Sequence, residues 1–434
     1  MATVRYSHQS VRVPTLQVIA HNPRMLLVAP GASLFLARYL KKFPMRRFGE
    51  NLILHSHLPP LTSRAYARFV DRHLVRRQPG PSHAQIGLTN ACPQNCAYCY
   101  NKQRSGVPID TRTILGVVDD LRAAGVCWLG LTGGEPLLNR DLPEIAAYAS
   151  PDMAVKLFTT GTGLTSSLAR QLAAAGVFSV CVSLDHWEPD QHNASRRYPR
   201  AFTEAVEAVR LLKELPGLHV GVSSVLSRSL VRSGQIHTLL SFLESLGVDE
   251  AWLSEVKPSV EEFWTEELVI AEEERLSLVA LQDRYNRRAR ATGTMTVNYL
   301  GHFEGAENFG CNAGTKMVYV DAFGEVSPCV FLPFSFGNVR EQPLGDILAD
   351  MRHTFPGEDR CFINKNYRLL KESGAAALPL DRERTLAALD RIDFGPPAEF
   401  NRLLAGGHVD RAAGRPNQAP TAAGRQGFRL KGAW

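Results

Sequence analysis

Cys92-Pro93-Gln94-Asn95-Cys96-Ala97-Tyr98-Cys99-Tyr100 sets three thiols at intervals of four and three positions, directly after a short apolar run at 84–88. Thiolates are soft donors that suit iron-sulfur clusters or zinc. A structural zinc site takes a fourth ligand, commonly from a second close Cys or His pair, and none lies nearby in the sequence. Three donors on a four-iron cluster leave one iron open. An open iron can be chelated by a small molecule that carries both an amine and a carboxylate, and can pass it an electron.

Around this loop the chain alternates short apolar runs with helical stretches. Strands are predicted at 84–88, 126–131, 155–159, 178–184, 219–226 and 251–256, with helices at 111–124, 164–175, 201–214 and 235–246. Three of the helices stop at Ala124-Gly125-Val126, Ala175-Gly176-Val177 and Leu246-Gly247-Val248, where glycine takes the left-handed cap that returns the chain to a strand. About six parallel strands joined by right-handed crossovers follow. The pattern by itself fits a partial barrel or a doubly wound sheet equally well.

The second strand runs into Thr132-Gly133-Gly134-Glu135-Pro136, the third into Thr159-Thr160-Gly161-Thr162 and the fourth into Ser183-Leu184-Asp185. Taken alone, Gly-Gly-Glu-Pro is an ordinary turn. One strand after a Cys-x3-Cys-x-aromatic-Cys loop, with Tyr98 in the aromatic place, it resembles the radical S-adenosylmethionine (SAM) superfamily. The resemblance implies the α/β class, as a partial (β/α)6 barrel of parallel strands with a small C-terminal α+β auxiliary domain that contains a hairpin. It implies a 4Fe-4S cluster on Cys92, Cys96 and Cys99, with Tyr98, Gly133, Gly134, Glu135 and Pro136 positioning SAM and Ser183 and Asp185 near its ribose. Relatives usually carry Asn where Thr160 stands. Cys127 and Cys181 lie inside apolar strands and read as core.

A second cysteine region holds Cys311-Asn312-Ala313-Gly314, then Gly324 to Cys329 across a turn at 321–324, and finally Cys361. It resembles the start of a twitch or SPASM domain, which binds auxiliary iron-sulfur clusters. A full SPASM set needs about seven cysteines, so two complete clusters are excluded. One auxiliary cluster on Cys311, Cys329 and Cys361 is expected, its fourth ligand coming from His, Asp, water or substrate; His302 is one candidate, although a lone His is more often structural. A degenerate fold without a cluster is the competing reading.

The 434 residues are 44% apolar and 21% charged, the composition of a folded globular chain. Eight cysteines, three of them clustered, do not make a secreted disulfide scaffold. No apolar stretch approaches a membrane span, and residues 1–13 lack the pattern of a secretory signal, so a reducing cytoplasm is expected. The net charge of +6 is local: Arg38, Lys41, Lys42, Arg46 and Arg47 crowd one segment and further cations follow Gly406, so nucleic acid binding is not implied. The segment 25–48 reads as a short amphipathic helix turning basic. Packing on the main domain is its commoner role, and peripheral membrane contact is the alternative.

On these grounds the chain divides into an N-terminal extension (1–80), the radical SAM core (81–260), a bridging helix region (261–298), an auxiliary domain (299–370), a helical segment (371–404) and a tail (405–434) expected to be disordered. The function the resemblance implies is reductive cleavage of SAM to a 5'-deoxyadenosyl radical and hydrogen abstraction from a peptide or small natural product, with flavodoxin or ferredoxin as electron donor. Two alternatives stand beside it: modification of a membrane lipid or isoprenoid, and a non-catalytic iron-sulfur carrier or scaffold.

Overall fold

The computed structural model describes residues 9–10, 15–260, 267–372 and 379–405; of the tail, 406–434 lie outside the described residues. Strands β1 (Gln9–Ser10), β2 (Arg46–Phe48) and β3 (Asn51–Ile53) form a small antiparallel sheet. The large sheet is built from β4 (His83–Gly87), β5 (Trp128–Thr132), β6 (Ala154–Thr159), β7 (Val177–Ser183), β8 (His219–Leu226) and β9 (Glu250–Glu255), extended by β10 (Thr296–Tyr299), β11 (Met317–Val320) and β12 (Val326–Ser327). Its order is β10-β9-β8-β7-β6-β5-β4-β11-β12, parallel except for the last pair.

From β4 to β10 spatial order follows sequence order, with no reversal of the kind that defines a doubly wound sheet. The two ends of the sheet do not pair, so the winding is that of an open, partial barrel. Helices Thr111–Ala124, Leu142–Ala149, Ser166–Ala174, Ala201–Lys213 and Ile236–Ser245 make the crossovers that parallel neighbours require. Asp110 and Thr165 cap two of them by accepting from Thr113 N and Leu168 N. Gly125, Gly176 and Gly247 have φ of 105°, 85° and 73°, the left-handed turns read from the sequence.

Three features differ from the sequence reading. The bridging helix region expected over 261–298 holds helix Glu272–Thr292, and this acts as one more crossover: it delivers β10 alongside β9, with Thr296 opposite Glu250. The hairpin of the auxiliary region does not stand apart, because β11 pairs in parallel with β4, Met317 opposite His83. That covers an edge that would otherwise present unpaired backbone groups. Segment 25–48 is divided by its prolines into a 3-10 turn (Pro23–Leu27), a helix (Pro30–Leu40) with Pro30 at its first position, and β2. Part of its basic cluster is turned inward, since Arg46 is buried and donates to Asp249 O at 3.1 Å.

Three apolar clusters result among the described residues, the smallest joining Phe48, Ile53 and Ala65 to Trp128, Ala154 and Phe178. Of the other two, the larger fills the space between the sheet and its helices; the smaller gathers Val28, Tyr39, Phe43 and Leu61 from the N-terminal unit with Phe400 and Leu404 from the last described helix, Glu399–Leu404. A buried ion pair, Arg104 Nη1 to Asp321 Oδ2 at 3.0 Å, ties the segment after the cysteine loop to the hairpin turn, with Ser327 Oγ and Leu332 O taking further donors of the same guanidinium. Cys127 and Cys181 are buried within the core, as their strand setting implied.

Candidate active site

The loop from β4 to helix Thr111–Ala124 carries Cys92, Cys96 and Cys99 to one end of the barrel. All three line a cavity of about 680 Å³, together with Tyr98, Gly133, Gly134 and Ser183. Burial pushes the Cys92 thiol up to about 12 and raises Cys96 as well, against the opposing pull of Arg196. Thiols of this kind keep their protons until a metal replaces them. Among the described residues no group of His, Cys, Asp and Glu is gathered tightly enough for a single ion, and the fit to a cluster rests on the donor set: three thiols on one loop facing one cavity.

The two glycines serve the cysteine loop directly. A Cβ on Gly133, whose φ is 130°, would come within 2.4 Å of Thr89 O, and one on Gly134 within 2.3 Å of Ala91 O. Gly134 N and Glu135 N donate to those same carbonyls at 2.6 and 2.8 Å. The two glycines thus let the end of β5 approach the loop that bears the thiols. Glu135 is fully buried and does not line the cavity. Burial raises its carboxyl pKa, offset by donors that fill its oxygens: Thr160 Oγ1 at 2.5 Å, Leu137 N at 3.0 Å, Thr159 Oγ1 at 2.7 Å and Thr160 N at 2.7 Å. Thr160, standing where relatives have Asn, supplies two of these. Pro136, also buried, opens the 3-10 turn Pro136–Leu138.

Asp185 likewise sits behind the cavity wall. Its carboxylate accepts from Arg196 Nε at 2.8 Å and Nη2 at 2.9 Å, from Val225 N at 2.9 Å and from the Tyr98 hydroxyl. Burial pushes its carboxyl up, and Arg196, His192 and the hydrogen bonds together outweigh this, holding the pKa below the usual range. The same Arg196 reaches Cys96 Sγ at 3.9 Å and accepts Asn95 N on its carbonyl at 3.1 Å. Arg196 was not legible in the sequence: it lies in the run Arg196-Arg197-Tyr198-Pro199-Arg200, whose cations look alike there.

Across the cavity lie the later cysteines. Cys311 and Cys329 line it; Cys361 stands just behind, beside Lys257. Lys257 Nζ donates to Glu255 Oε1 at 2.9 Å, Glu304 Oε2 at 2.6 Å and Cys361 Sγ at 3.2 Å. His302 does not join them. It is buried against Tyr39, its ring parallel at 6.4 Å, and burial lowers its pKa to about 3. Lys257 and Glu304 had no sequence signal, because nothing marks one Lys or Glu as buried before the strands are assembled.

A family model described as "Radical SAM superfamily" matches residues 86–226. The chain carries a radical SAM core. A second model, described as "Iron-sulfur cluster-binding domain" and named SPASM, matches residues 311–367, so it takes in Cys361 as well as Cys311 and Cys329. With the two come the class and cofactors of the chain: it is a radical SAM enzyme that uses iron-sulfur and SAM. It is similar to an AdoMet-dependent heme synthase of Methanosarcina barkeri, 29% identical over 280 residues, covering 60% of this chain and 80% of that one. It is also similar to a PqqA peptide cyclase of Granulibacter bethesdensis, 26% identical over 273 residues, covering 60% and 71%. In fold it resembles Streptococcus suis SuiB bound to the precursor peptide SuiA, with a TM-score of 0.52 at 13% identity, covering 65% of this chain and 67% of that one.

Proposed function

We propose that this radical SAM enzyme abstracts hydrogen from a peptide or small natural product held in the cavity between its two cysteine sets. The observation that carries this reading is that Cys92, Cys96 and Cys99 open on the same chamber as Cys311 and Cys329. When bound on the first three thiols, a 4Fe-4S cluster supplies the electron that cleaves SAM to methionine and a 5'-deoxyadenosyl radical. The chain's own residues do the rest. Gly133 and Gly134 hold the cysteine loop through backbone contacts; Glu135 locks the end of β5 to that of β6; Asp185 fixes Tyr98, whose hydroxyl donates to it, and Arg196 against the loop; Ser183 offers a hydroxyl to the occupant. We carry over from the resemblance the roles of Glu135 and Pro136 in placing the methionine end of SAM, and of Ser183 and Asp185 near its ribose.

A heme synthase and a peptide cyclase share this core, so the core does not choose the substrate. The far wall of the cavity does. The division of the chain follows from this: 81–260 starts the radical chemistry, 299–370 brings the second cysteine set, and 1–80 with 371–404 closes the chamber. Free thiols and clusters need a reducing compartment with a flavodoxin or ferredoxin donor, which is the cytoplasm. The decisive assay is anaerobic reconstitution with iron and sulfide, followed by dithionite and SAM. The reading expects 5'-deoxyadenosine, and an intact cluster that forms none would favour an electron carrier.

A lipid or isoprenoid substrate is the second reading. It is favoured by the far wall, where Met25, Leu36, Tyr39 and Leu40 meet Trp128, Trp252 and Phe303, and by Leu26, Leu27 and Leu34, exposed at 72%, 65% and 55% near the exposed cations Arg38 and Lys41. No helix among the described residues is long and apolar enough to cross a membrane, so contact at this face would be peripheral. Flotation on anionic liposomes, with Leu26, Leu27 and Leu34 replaced by Gln as control, separates the readings; no flotation of the native chain removes the second.

A further inference from the structure

We propose that Glu304 is the fourth ligand of the auxiliary iron-sulfur site, completing the set begun by Cys311, Cys329 and Cys361. The inference rests on the presence of that auxiliary site and goes beyond it by naming a donor outside the 311–367 match.

The three thiols come from separated elements. Cys311 opens the segment after the short helix Leu300–Phe303, Cys329 follows β12, and Cys361 precedes helix Phe362–Glu372. Glu304 is the residue at which helix Leu300–Phe303 ends; it hydrogen-bonds the Cys361 thiol and shares the cavity wall with Cys311 and Cys329. It also lines the cavity, which Cys361 does not.

One buried ammonium, Lys257, ties the carboxylates Glu255 and Glu304 to the Cys361 sulfur. Both carboxylates line the cavity; Glu255 takes Lys257 and Asn364 on its Oε1, at 2.9 and 3.0 Å, and leaves its Oε2 without a partner. Glu304, with Lys257 on its Oε2 at 2.6 Å, is the one of the two that hydrogen-bonds a thiol of the set, that of Cys361. Lys257 then serves as the counter-ion that fixes the carboxylate, the outer partner that ligands of metal sites commonly have.

The test uses the full reconstituted chain carrying Cys92→Ala, Cys96→Ala and Cys99→Ala, so that the only cluster read is the auxiliary one. Iron per chain is measured first. If adding Cys311→Ala, Cys329→Ala and Cys361→Ala leaves bound iron unchanged, the auxiliary site itself is absent and the proposal falls with it. With iron present, the EPR spectrum of the dithionite-reduced protein is recorded with and without cyanide, a ligand for an open iron. The native Glu304 site is expected to be closed, its spectrum unmoved by cyanide. Glu304→Ala should open it, with a changed spectrum that cyanide shifts, and Glu304→Cys should close it again. Loss of iron in Glu304→Ala with retention in Glu304→Cys supports ligation equally. A native site that already binds cyanide, an unchanged spectrum in Glu304→Ala, or loss of iron in both variants overturns the proposal.

Discussion

The two cysteine sites face each other across one cavity and are built on one plan, with opposite economies of sequence. In each, a buried cation held by carboxylate reaches a cysteine sulfur: Arg196, clamped by both oxygens of Asp185, lies 3.9 Å from Cys96, and Lys257, held by Glu255 and Glu304, lies 3.2 Å from Cys361. The first set of thiols fits within eight consecutive residues and needs only a loop. The second draws on three elements spread over fifty residues and exists only once the barrel has placed them. A short motif fixes a reactive centre wherever a strand ends; a dispersed one lets the surrounding fold decide what the centre touches.

The largest effect expected is a split in function. Replacing Cys92, Cys96 and Cys99 with Ala should abolish 5'-deoxyadenosine formation, whereas replacing Cys311, Cys329 and Cys361 should leave SAM cleavage measurable while removing turnover of the substrate. Chromatography of the reaction products separates the two. Equal loss of SAM cleavage in both, with core iron retained in the second, would erase the distinction between the sites.

Next comes stability. Asp185→Ala leaves Arg196 buried with its main partner gone, and unfolding of the metal-free chain in urea should show a loss of about 3–5 kcal/mol. Glu304→Ala leaves Lys257 its bond to Glu255 and should cost less, roughly 1–3 kcal/mol. A reversal of that order would mean that Lys257, not Arg196, is the more dependent cation.

A third difference is in acid. Behind Asp185, His192 Nδ1 accepts from Asp185 N at 3.1 Å, so the ring is neutral there, and burial lowers its pKa to about 4. An unfolded His protonates near 6.5, so between about 6.5 and 4 the unfolded chain binds the additional proton and stability falls as pH falls, by ~1.4 kcal/mol per unit for this group. His192→Asn keeps an acceptor and should flatten that slope by this amount when urea midpoints at pH 6.5 and 5 are compared. An unaltered slope would show that His192 does not contribute to it.

The smallest effect expected is a control. Leu34→Gln, on the surface away from both sites, should change stability by no more than about 0.5 kcal/mol. A larger change in the urea midpoint would mean that the leucine packs in the native state.

The barrel was legible because its signals are local. Apolar runs of strand length and glycine stops predicted β4 to β9 to within two residues at their starts, and Cys92 to Tyr100 announced itself through spacing alone. The seventh parallel strand was hidden by brevity: Thr-Val-Asn-Tyr at 296–299 looks like the start of the next module rather than the end of a crossover. The pairing of β11 with β4 joins residues more than two hundred positions apart, which no periodicity reports. Arg196, Lys257 and Glu304 were illegible for the same reason. Each is an ordinary charged residue until burial and a partner give it a task.

Phe309 and Phe400, both on the far wall of the chamber, pack at 5.0 Å, and Phe35 of the N-terminal unit packs on Phe400 from behind at 5.2 Å. The barrel strands and both cysteine sets thus precede in sequence the helix Glu399–Leu404, whose Phe400, Asn401 and Leu404 complete the wall of the chamber. A chain cut before residue 399 would keep every cysteine and lose that part of the wall.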